Sequence, residues 1–199
     1  TLGDWSSDVC SSDLLAAGRG WPITPEAATC LYVAIVTDTG RFSFPNTRPS
    51  TLRWAAALVE AGADHKLASE RLYQWQSLGV VRVQGEAAAG ITLECRGRVG
   101  VMCVSEAMFR RHNVDPIDTQ EFADMPRSIE GVEVGVTLRE MMVEGKVKVS
   151  LRSRGGVNVA EVARLFGGGG HAEAAGCEVK GGMAEVREKV LASIREHLP

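Results

Sequence analysis

A run of four glycines, Gly167–Gly170, constrains the fold of this 199-residue chain more than any other feature. Residues without a Cβ lose the most conformational entropy on folding, so the structure must need unusual backbone freedom there. The run follows Val157–Phe166, whose apolar spacing predicts an amphipathic helix, and it precedes His171. Glycines that lead into a helix start would offer N–H groups and a helix dipole to an anion, with His171 beside them. The alternative is a flexible hinge that carries a surface histidine.

The surrounding C-terminal part alternates strand and helix patterns, which predicts an α/β unit with a small mixed sheet and helices packed on it. Strands are predicted over Ile91–Glu94, Gly100–Val104, Val132–Leu138, Lys146–Arg152 and Cys177–Lys180. Helices are predicted over Ser105–Arg111, Asp118–Met125, Val157–Phe166 and Met183–His197. A hairpin turn is expected at Glu144-Gly145.

The N-terminal part is predicted to be mainly helical. A helix begins at Pro25 with Thr24 as its cap, and the apolar run Val33–Val36 predicts a short strand, with an extended piece at Arg41–Phe44. Further helices are expected over Thr51–Ala61 and from Asp64 to about Tyr73 or Trp75. The stretch Gly79–Gly90, rich in Val, Gly and Ala, is interpreted as the boundary, with residues 81–90 as a linker.

Composition excludes several classes of function. A net charge of −3 and a pI of about 5.8 argue against a broad basic surface for long duplex DNA. The longest apolar run, around Leu31–Val36, is too short to span a bilayer, and no stretch is typical of a signal peptide, so a cytoplasmic protein without a membrane partner is expected. The scattered cysteines, without zinc spacing, predict reduced thiols.

The first segment is set apart from the rest of the chain. Residues 4–13 are rich in Ser and Asp and have neither helical nor strand periodicity. We interpret residues 1–13 as a non-native, adaptor-derived segment, with a natural disordered terminus as the alternative. The absence of an initiator Met fits a gene fragment.

Two polar patterns suggest a site. Asp38 follows an apolar run and precedes Thr39-Gly40, a common arrangement for a metal ligand, although an ordinary turn has the same pattern. On the strand Lys146–Arg152, alternation places Lys146, Lys148, Ser150 and Arg152 on one face. That face is usually solvated, but the fork of Arg152 suits phosphate oxygens.

The unbroken pattern Gly-Gly-Gly-His-x-x-Ala-Ala-Gly, from Gly168 to Gly176, resembles the signature of the DHHA1 domain. Asp38-Thr39-Gly40 resembles the fourth motif of DHH phosphoesterases, and the run Thr29–Phe42 is similar to that of nanoRNases that also act on 3′-phosphoadenosine 5′-phosphate. Over 14–199 the chain therefore resembles the nanoRNase and pAp-phosphatase branch of the DHH/DHHA1 phosphoesterases.

This resemblance implies that residues 14–80 are the end of an α/β DHH domain and that residues 91–199 are a DHHA1 substrate-binding domain. It implies that Gly168, Gly169, Gly170 and His171 clasp the substrate phosphate, with Arg152, Ser150 and Asn158 beside them. It also implies that Asp38 is a catalytic residue that ligates one of two Mn²⁺ ions in the complete enzyme. The substrates would be short oligoribonucleotides or 3′-phosphoadenosine 5′-phosphate, and a homodimer is left open.

One departure from the family pattern limits this expectation. Asp64-His65 is followed by Lys66 instead of a second histidine, and it comes after the Asp38 motif, where the family places its Asp-His-His triplet before it. We therefore expect an N-terminally truncated chain that is inactive alone. The alternatives are a RecJ-like single-strand exonuclease, a cyclic-dinucleotide phosphodiesterase, and a non-catalytic nucleotide- or RNA-binding module like the DHHA1 appendage of alanyl-tRNA synthetase.

Overall fold

A computed structural model of the chain describes residues 23–44, 46–141 and 145–198. The chain divides into two compact units between Trp75 and Gln76. The proposed adaptor-derived segment 1–13 and Glu144 of the expected hairpin turn lie outside the described residues.

The described part of the first unit is helical. Its helices are α1 (Pro25–Asp38), α2 (Pro49–Glu60) and α3 (His65–Ser69), the last continuing into a π-helical turn, Glu70–Gln74. The hydroxyl of Thr24 caps α1 by accepting a hydrogen bond from the Ala27 amide, and the carboxylate of Asp64 caps α3 in the same way through Leu67. A small apolar core holds these helices together, and it is centred on Ala28, Ile35, Leu58 and Ala63.

The predicted strand Val33–Val36 is wrong, because this run is the last part of α1. Ile35 and Val36 are buried as residues of a helical face, and a four-residue apolar run has no periodicity that separates a helix from a strand. The predicted extended piece Arg41–Phe44 is also wrong. Arg41 and Phe42 have φ values of 61° and 64°, so the chain turns there in the left-handed region.

The second unit begins with a helix, α4 (Leu78–Ala89), where a linker was predicted over residues 81–90. The hydroxyl of Ser77 accepts a hydrogen bond from the Val80 amide and so caps the helix. Val80, Val83 and Ala87 are buried at helical spacing, and these contacts stabilise α4 despite its glycines.

The sheet of this unit has six described strands in the order β1-β2-β3-β4-β6-β5. Only β2 and β3 pair in parallel; the other neighbouring pairs are antiparallel, so the predicted mixed sheet and α/β class are confirmed. The strands are β1 (Thr92–Glu94), β2 (Val99–Val104), β3 (Val134–Glu140), β4 (Lys146–Ser153), β5 (Gly169–His171) and β6 (Ala174–Lys180). Of these, β5 was not predicted.

The helices that follow α4 in this unit agree with the predictions except at one place. They are α5 (Glu106–His112), α6 (Val159–Leu165) and α7 (Met183–His197). Single 3₁₀ turns occupy Cys95–Gly97 and Pro126–Ser128. The predicted helix Asp118–Met125 is a 3₁₀ segment, Pro116–Asp124, because Thr119 (φ −109°, ψ 16°) interrupts helical geometry.

The two faces of the sheet differ in their cover. On one face, α6 and α7 pack against the inward side chains of the strands, among them Val136, Val149 and Leu151. The helices and these strand residues together form the main apolar core. On the other face, α4 and α5 cover Met102 and Val104 of β2. Over β3, β4 and β6 this second face carries polar side chains and a pocket. Nowhere in the described ranges does a helix combine the length and apolar character needed to cross a bilayer.

Candidate functional site

The pocket on the second sheet face has a volume of about 320 Å³. Its walls come from the 3₁₀ segment Pro116–Asp124, from strands β3 and β4, and from the glycine-containing edge formed by β5 and β6. The lining residues are Thr119, Gln120, Ala123, Thr137, Arg139, Lys148, Ser150, Arg152, Gly169, Ala174, Ala175 and Gly176. A volume of this order suits a small-molecule ligand.

Strand β4 brings three polar side chains into this pocket by simple alternation. Residues 147, 149 and 151 are buried in the main core, so Lys148, Ser150 and Arg152 lie on the opposite face. The prediction that these residues share one face is confirmed. Two of the expected site residues, Ser150 and Arg152, therefore line one cavity.

Arg152 is held in the pocket wall by an acidic residue of the 3₁₀ segment. Its Nε lies 3.3 Å from Oδ1 of Asp124, and its Nη1 donates to the carbonyl of Leu151 at 3.1 Å. The same Asp124 oxygen accepts a hydrogen bond from Nη2 of Arg127 at 3.1 Å. Because guanidinium has five N–H donors, donors of Arg152 beyond these two contacts are left for an anion.

The glycine run has a different role from the one expected. It follows the end of α6, where the Gly168 amide donates to the Ala163 carbonyl, and it continues into the edge strand β5. The expectation of a helix start and a helix dipole at this site is therefore wrong, since β5 pairs with β6 through Gly169 and Gly176. Strand β5 has only three residues, and it is recognised as a strand because all three pair with β6.

Close backbone packing explains two of these glycines. A Cβ on Gly168 would overlap the Gly176 carbonyl and lie 2.5 Å from Cβ of Cys177. Gly170 has a φ of 139°, and a Cβ there would lie 2.5 Å from the Ala174 carbonyl oxygen. Gly169 has open space around its Cα and lines the pocket. The edge strand thus exposes bare backbone to the cavity.

The other four expected binding residues, His171, Asn158, Gly168 and Gly170, do not line this pocket. His171 is exposed at the end of β5. Asn158 caps α6: its Oδ1 accepts from the Ala160 amide at 3.2 Å and its Nδ2 donates to Glu161 at 2.9 Å. The structure therefore gives Asn158 a local structural role.

Arg139 is a pocket residue that the sequence analysis missed. Its Nη1 donates to the Pro116 carbonyl at 2.6 Å and to Oγ1 of Thr119 at 3.0 Å, and burial lowers the pKa of the guanidinium. The feature that would have indicated a pocket position is the pairing of the strands. Arg139 lies opposite Lys148 in the β3–β4 pair, on the polar face. That register only becomes known when the two strands are paired.

Asp38, the expected metal ligand, is in the first unit. It is the last residue of α1 and is exposed, and its Oδ2 accepts a hydrogen bond from Nδ2 of Asn46 at 3.2 Å. No group of three or more His, Cys, Asp or Glu side chains arranged to hold a metal occurs in residues 23–44, 46–141 and 145–198. A hard divalent ion requires several oxygen ligands, so these residues do not by themselves fit a two-metal centre.

The fold and the pocket define a mixed-sheet α/β domain with a cation-lined cavity on its open face. A family model described as the DHHA1 domain matches residues 98–198, about half of the chain. The chain belongs to the DHHA1 domain family, and the resemblance inferred from the sequence is confirmed.

Two curated relatives share this similarity over most of the chain. The bifunctional oligoribonuclease and PAP phosphatase NrnA of Thermus thermophilus is 37% identical over 187 residues, covering 94% of this chain and 54% of the relative. The protein of the same name from Bacillus subtilis is 29% identical over 161 residues, covering 81% of this chain and 50% of the relative. The chain spans about half the length of the curated relatives it matches.

A solved structure has a similar fold. The crystal structure of an exopolyphosphatase-related protein from Bacteroides fragilis matches with a TM-score of 0.87 at 25% identity. The match covers 96% of this chain and 56% of that one.

Proposed function

We propose that this chain is the substrate-binding part of a phosphoesterase and that its pocket binds short oligoribonucleotides or 3′-phosphoadenosine 5′-phosphate. The observation that carries the proposal is the convergence of Arg152, Ser150 and the bare backbone of Gly169 in one cavity. A fixed guanidinium fork and a hydroxyl are donors that suit phosphate oxygens. The relatives named as oligoribonuclease and PAP phosphatase support this choice of ligand.

The proposed role of the glycine edge is close approach. Without side chains at Gly169 and Gly176, a sugar or phosphate group is able to reach the sheet edge itself. Exposed His171 at the end of β5 is proposed to contact the same ligand from outside the cavity.

The proposed role of Asp38 lies in a longer protein. We propose that it supplies one carboxylate to a site for two Mn²⁺ ions, whose other ligands come from sequence outside the described residues. The chain alone is then expected to bind nucleotide without hydrolysing it. A cytoplasmic location and a homodimeric assembly stay predictions.

The binding half of the proposal is tested by calorimetric titration of the full chain with adenosine 3′,5′-bisphosphate. Arg152→Met is expected to weaken binding roughly 10- to 100-fold, which is the range for one charged hydrogen-bonded contact. Arg164→Met is the matched control, because Arg164 is exposed on α6, whose apolar side chains pack on the opposite sheet face. Equal affinity of wild type and Arg152→Met would contradict the proposed pocket.

The catalytic half is tested in a chimaera in which the N-terminal half of the Thermus thermophilus relative precedes this chain. Asp38→Asn is expected to reduce Mn²⁺-dependent release of phosphate by at least about 100-fold, because loss of an anionic metal ligand should cost more than the roughly 10- to 100-fold typical of residues that only support such a ligand. Glu60→Gln is the control, since Glu60 is also an exposed carboxylate at the end of a helix in the first unit. Unchanged turnover in Asp38→Asn would remove Asp38 from the metal site.

A further inference from the structure

We propose that Arg127 is a positioning residue of the pocket: it holds the Asp124 carboxylate in an orientation that leaves donors of Arg152 for the ligand. Arg127 is not among the residues that line the cavity. It acts through Asp124, whose Oδ1 contacts both guanidinium groups. This role rests on the proposed function, since it describes how the principal cation of that site is kept available.

The backbone of Arg127 is fixed by two glycines of the sheet beneath it. Gly100 and Gly135 are direct partners in the parallel pairing of β2 and β3. A Cβ on Gly135 would lie 2.7 Å from the backbone nitrogen of Arg127, and a Cβ on Gly100 would lie 3.0 Å from the Pro126 carbonyl oxygen. The turn Pro126–Ser128 therefore lies directly against the sheet. Because packing this close leaves little room for movement, the side chain of Arg127 starts from a defined position.

The side chain of Arg127 contacts two residues that determine where Arg152 lies. Its Nη1 donates to the Ser153 carbonyl at 3.3 Å, and its Nη2 donates to Oδ1 of Asp124 at 3.1 Å. Ser153 follows Arg152 in β4 and is fully buried. Arg127 thus connects the backbone beside Arg152 with the acid that pairs with Arg152. A guanidinium suits this bridge because its donors are held in one rigid plane.

This shared carboxylate leaves part of the Arg152 guanidinium to the pocket. A carboxylate and a guanidinium that have no other partner favour a bidentate pair with two parallel N–H···O bonds. Arg152 instead meets Asp124 through Nε, with Oδ1 3.3 Å away, and its Nη1 donates to the Leu151 carbonyl. Among the described residues, Nη2 of Arg152 has no hydrogen-bond partner. Arg127 therefore keeps Asp124 from occupying a nitrogen that a phosphate oxygen could use.

The same arrangement preserves positive charge in the pocket wall. Two guanidinium groups share one carboxylate, so Arg127, Asp124 and Arg152 together carry one net positive charge. Without Arg127, the remaining pair of Asp124 and Arg152 would be neutral. The Asp124 side chain is 50% exposed, so nothing buried prevents it from turning towards a bidentate pair with Arg152. An anionic ligand would then compete with Asp124 for the same donors.

The test is calorimetric titration of the full chain with adenosine 3′,5′-bisphosphate in the presence of a chelator. Arg127→Met is expected to weaken binding about three- to tenfold, which is the range for one net hydrogen bond. Arg154→Met is the matched control, because Arg154 is exposed and donates to the Arg127 carbonyl at 3.0 Å. In the described part of the chain, Arg154 forms no ion pair with Asp124. Its loss removes the same charge nearby and should change affinity by less than about twofold.

A second change separates positioning from a purely structural role. Asp124→Asn, added to Arg127→Met, removes the negative charge that competes for Arg152. Affinity should then return to within about twofold of that of Asp124→Asn alone, because the two residues act through one contact. A protein that binds weakly because its fold is damaged would gain nothing from this change.

Folding is checked by thermal unfolding of every variant without ligand. Arg127→Gln is the alternative if Arg127→Met does not fold, since its amide keeps a donor for the Ser153 carbonyl. It is expected to show the same loss of affinity and the same restoration by Asp124→Asn.

The outcomes distinguish this role from the proposed function. If Arg152→Met weakens binding and folded Arg127→Met does not, the positioning role is wrong while the proposed function stands. If folded Arg127→Met binds weakly and Asp124→Asn does not restore affinity, Arg127 does not act through Asp124 and the positioning role is again wrong. If wild type does not bind the bisphosphate, the proposed function fails and the positioning role fails with it.

Discussion

Nε of Arg152 lies 3.3 Å from the carboxylate of Asp124, and this ion pair joins the end of strand β4 to the 3₁₀ segment beside it. The same carboxylate binds Arg127, whose Nη1 donates to the Ser153 carbonyl at 3.3 Å. One acidic residue thus sets the position of the principal cation in the pocket wall. An acidic residue beside an anion pocket weakens the positive electrostatic potential there. Asp124 therefore favours binding only through the geometry that it imposes on Arg152.

Changes at Asp124 should separate these two effects. Asp124→Ala is expected to weaken nucleotide binding about two- to fivefold, because Arg152 loses the ion-pair partner that orients it. Asp124→Asn keeps an acceptor oxygen and removes the negative charge, so binding should be equal or tighter. Titration calorimetry provides the measurement, with Asp118→Ala as a control in the same 3₁₀ segment. Equal effects of the Ala and Asn changes would show that orientation of Arg152 is unimportant.

Two neighbouring glycines should differ in their response to the same substitution. Gly168→Ala would place a methyl group 2.5 Å from Cβ of Cys177, and we expect the free energy of unfolding to fall by about 1–3 kcal/mol. Gly169→Ala meets no atom within 4 Å, so stability should change little. Urea unfolding of both variants tests this. A stable Gly168→Ala protein would mean that β5 and β6 are not packed as described.

Asn158 offers a test between capping and ligand binding. Asn158→Ala should lower the free energy of unfolding by about 1 kcal/mol, because the cap of α6 is lost. Asn158→Ser should restore most of that stability, since serine is also a good cap. Nucleotide affinity is expected to be unchanged in both variants. A loss of affinity in the stable Ser variant would instead support direct contact with substrate.

The stability of the second unit should depend on alkaline pH through Cys177. Burial raises the pKa of this thiol to about 11, above its ordinary value of about 8.5 in an unfolded chain. The folded state therefore favours the neutral thiol, and this contribution is complete below about pH 8 and is lost as the pH rises towards 11.

Thermal unfolding of wild type and Cys177→Ala at several pH values measures the effect. The difference in stability between them should shrink steadily from about pH 8 upward, since only wild type carries the titrating group at this position. Burial also raises the pKa of Cys103, which both proteins retain, so that contribution cancels. A constant difference across this range would contradict the assigned environment of Cys177.

The sequence predicted the regular parts of this fold because their patterns are strong. Strand β4 alternates over its whole length, and α7 repeats apolar residues at helical spacing, so both their positions and their buried faces were predicted correctly. The run Val33–Val36 was misassigned because four apolar residues suit either structure. Helix α4 was missed because its glycines and valines resemble a linker until Val83 and Ala87 are seen to be buried.

The candidate site was predictable only in part, for a related reason. Ser150 and Arg152 follow from alternation within a single strand. Arg139 and its pairing with Lys148 depend on the register between two strands, which no local pattern contains. Strand β5 consists of two glycines and a histidine, so only its pairing with β6 makes it a strand at all.

Helix α4 has a practical consequence for anyone who wishes to produce the pocket-bearing unit alone. The family match begins at residue 98, but Met102 and Val104 of β2 are fully buried in a cluster that includes Val83 of α4. An expression boundary drawn at residue 98 would uncover that cluster and invite aggregation. A boundary just after Trp75 keeps α4, which covers these apolar side chains and shields them from solvent.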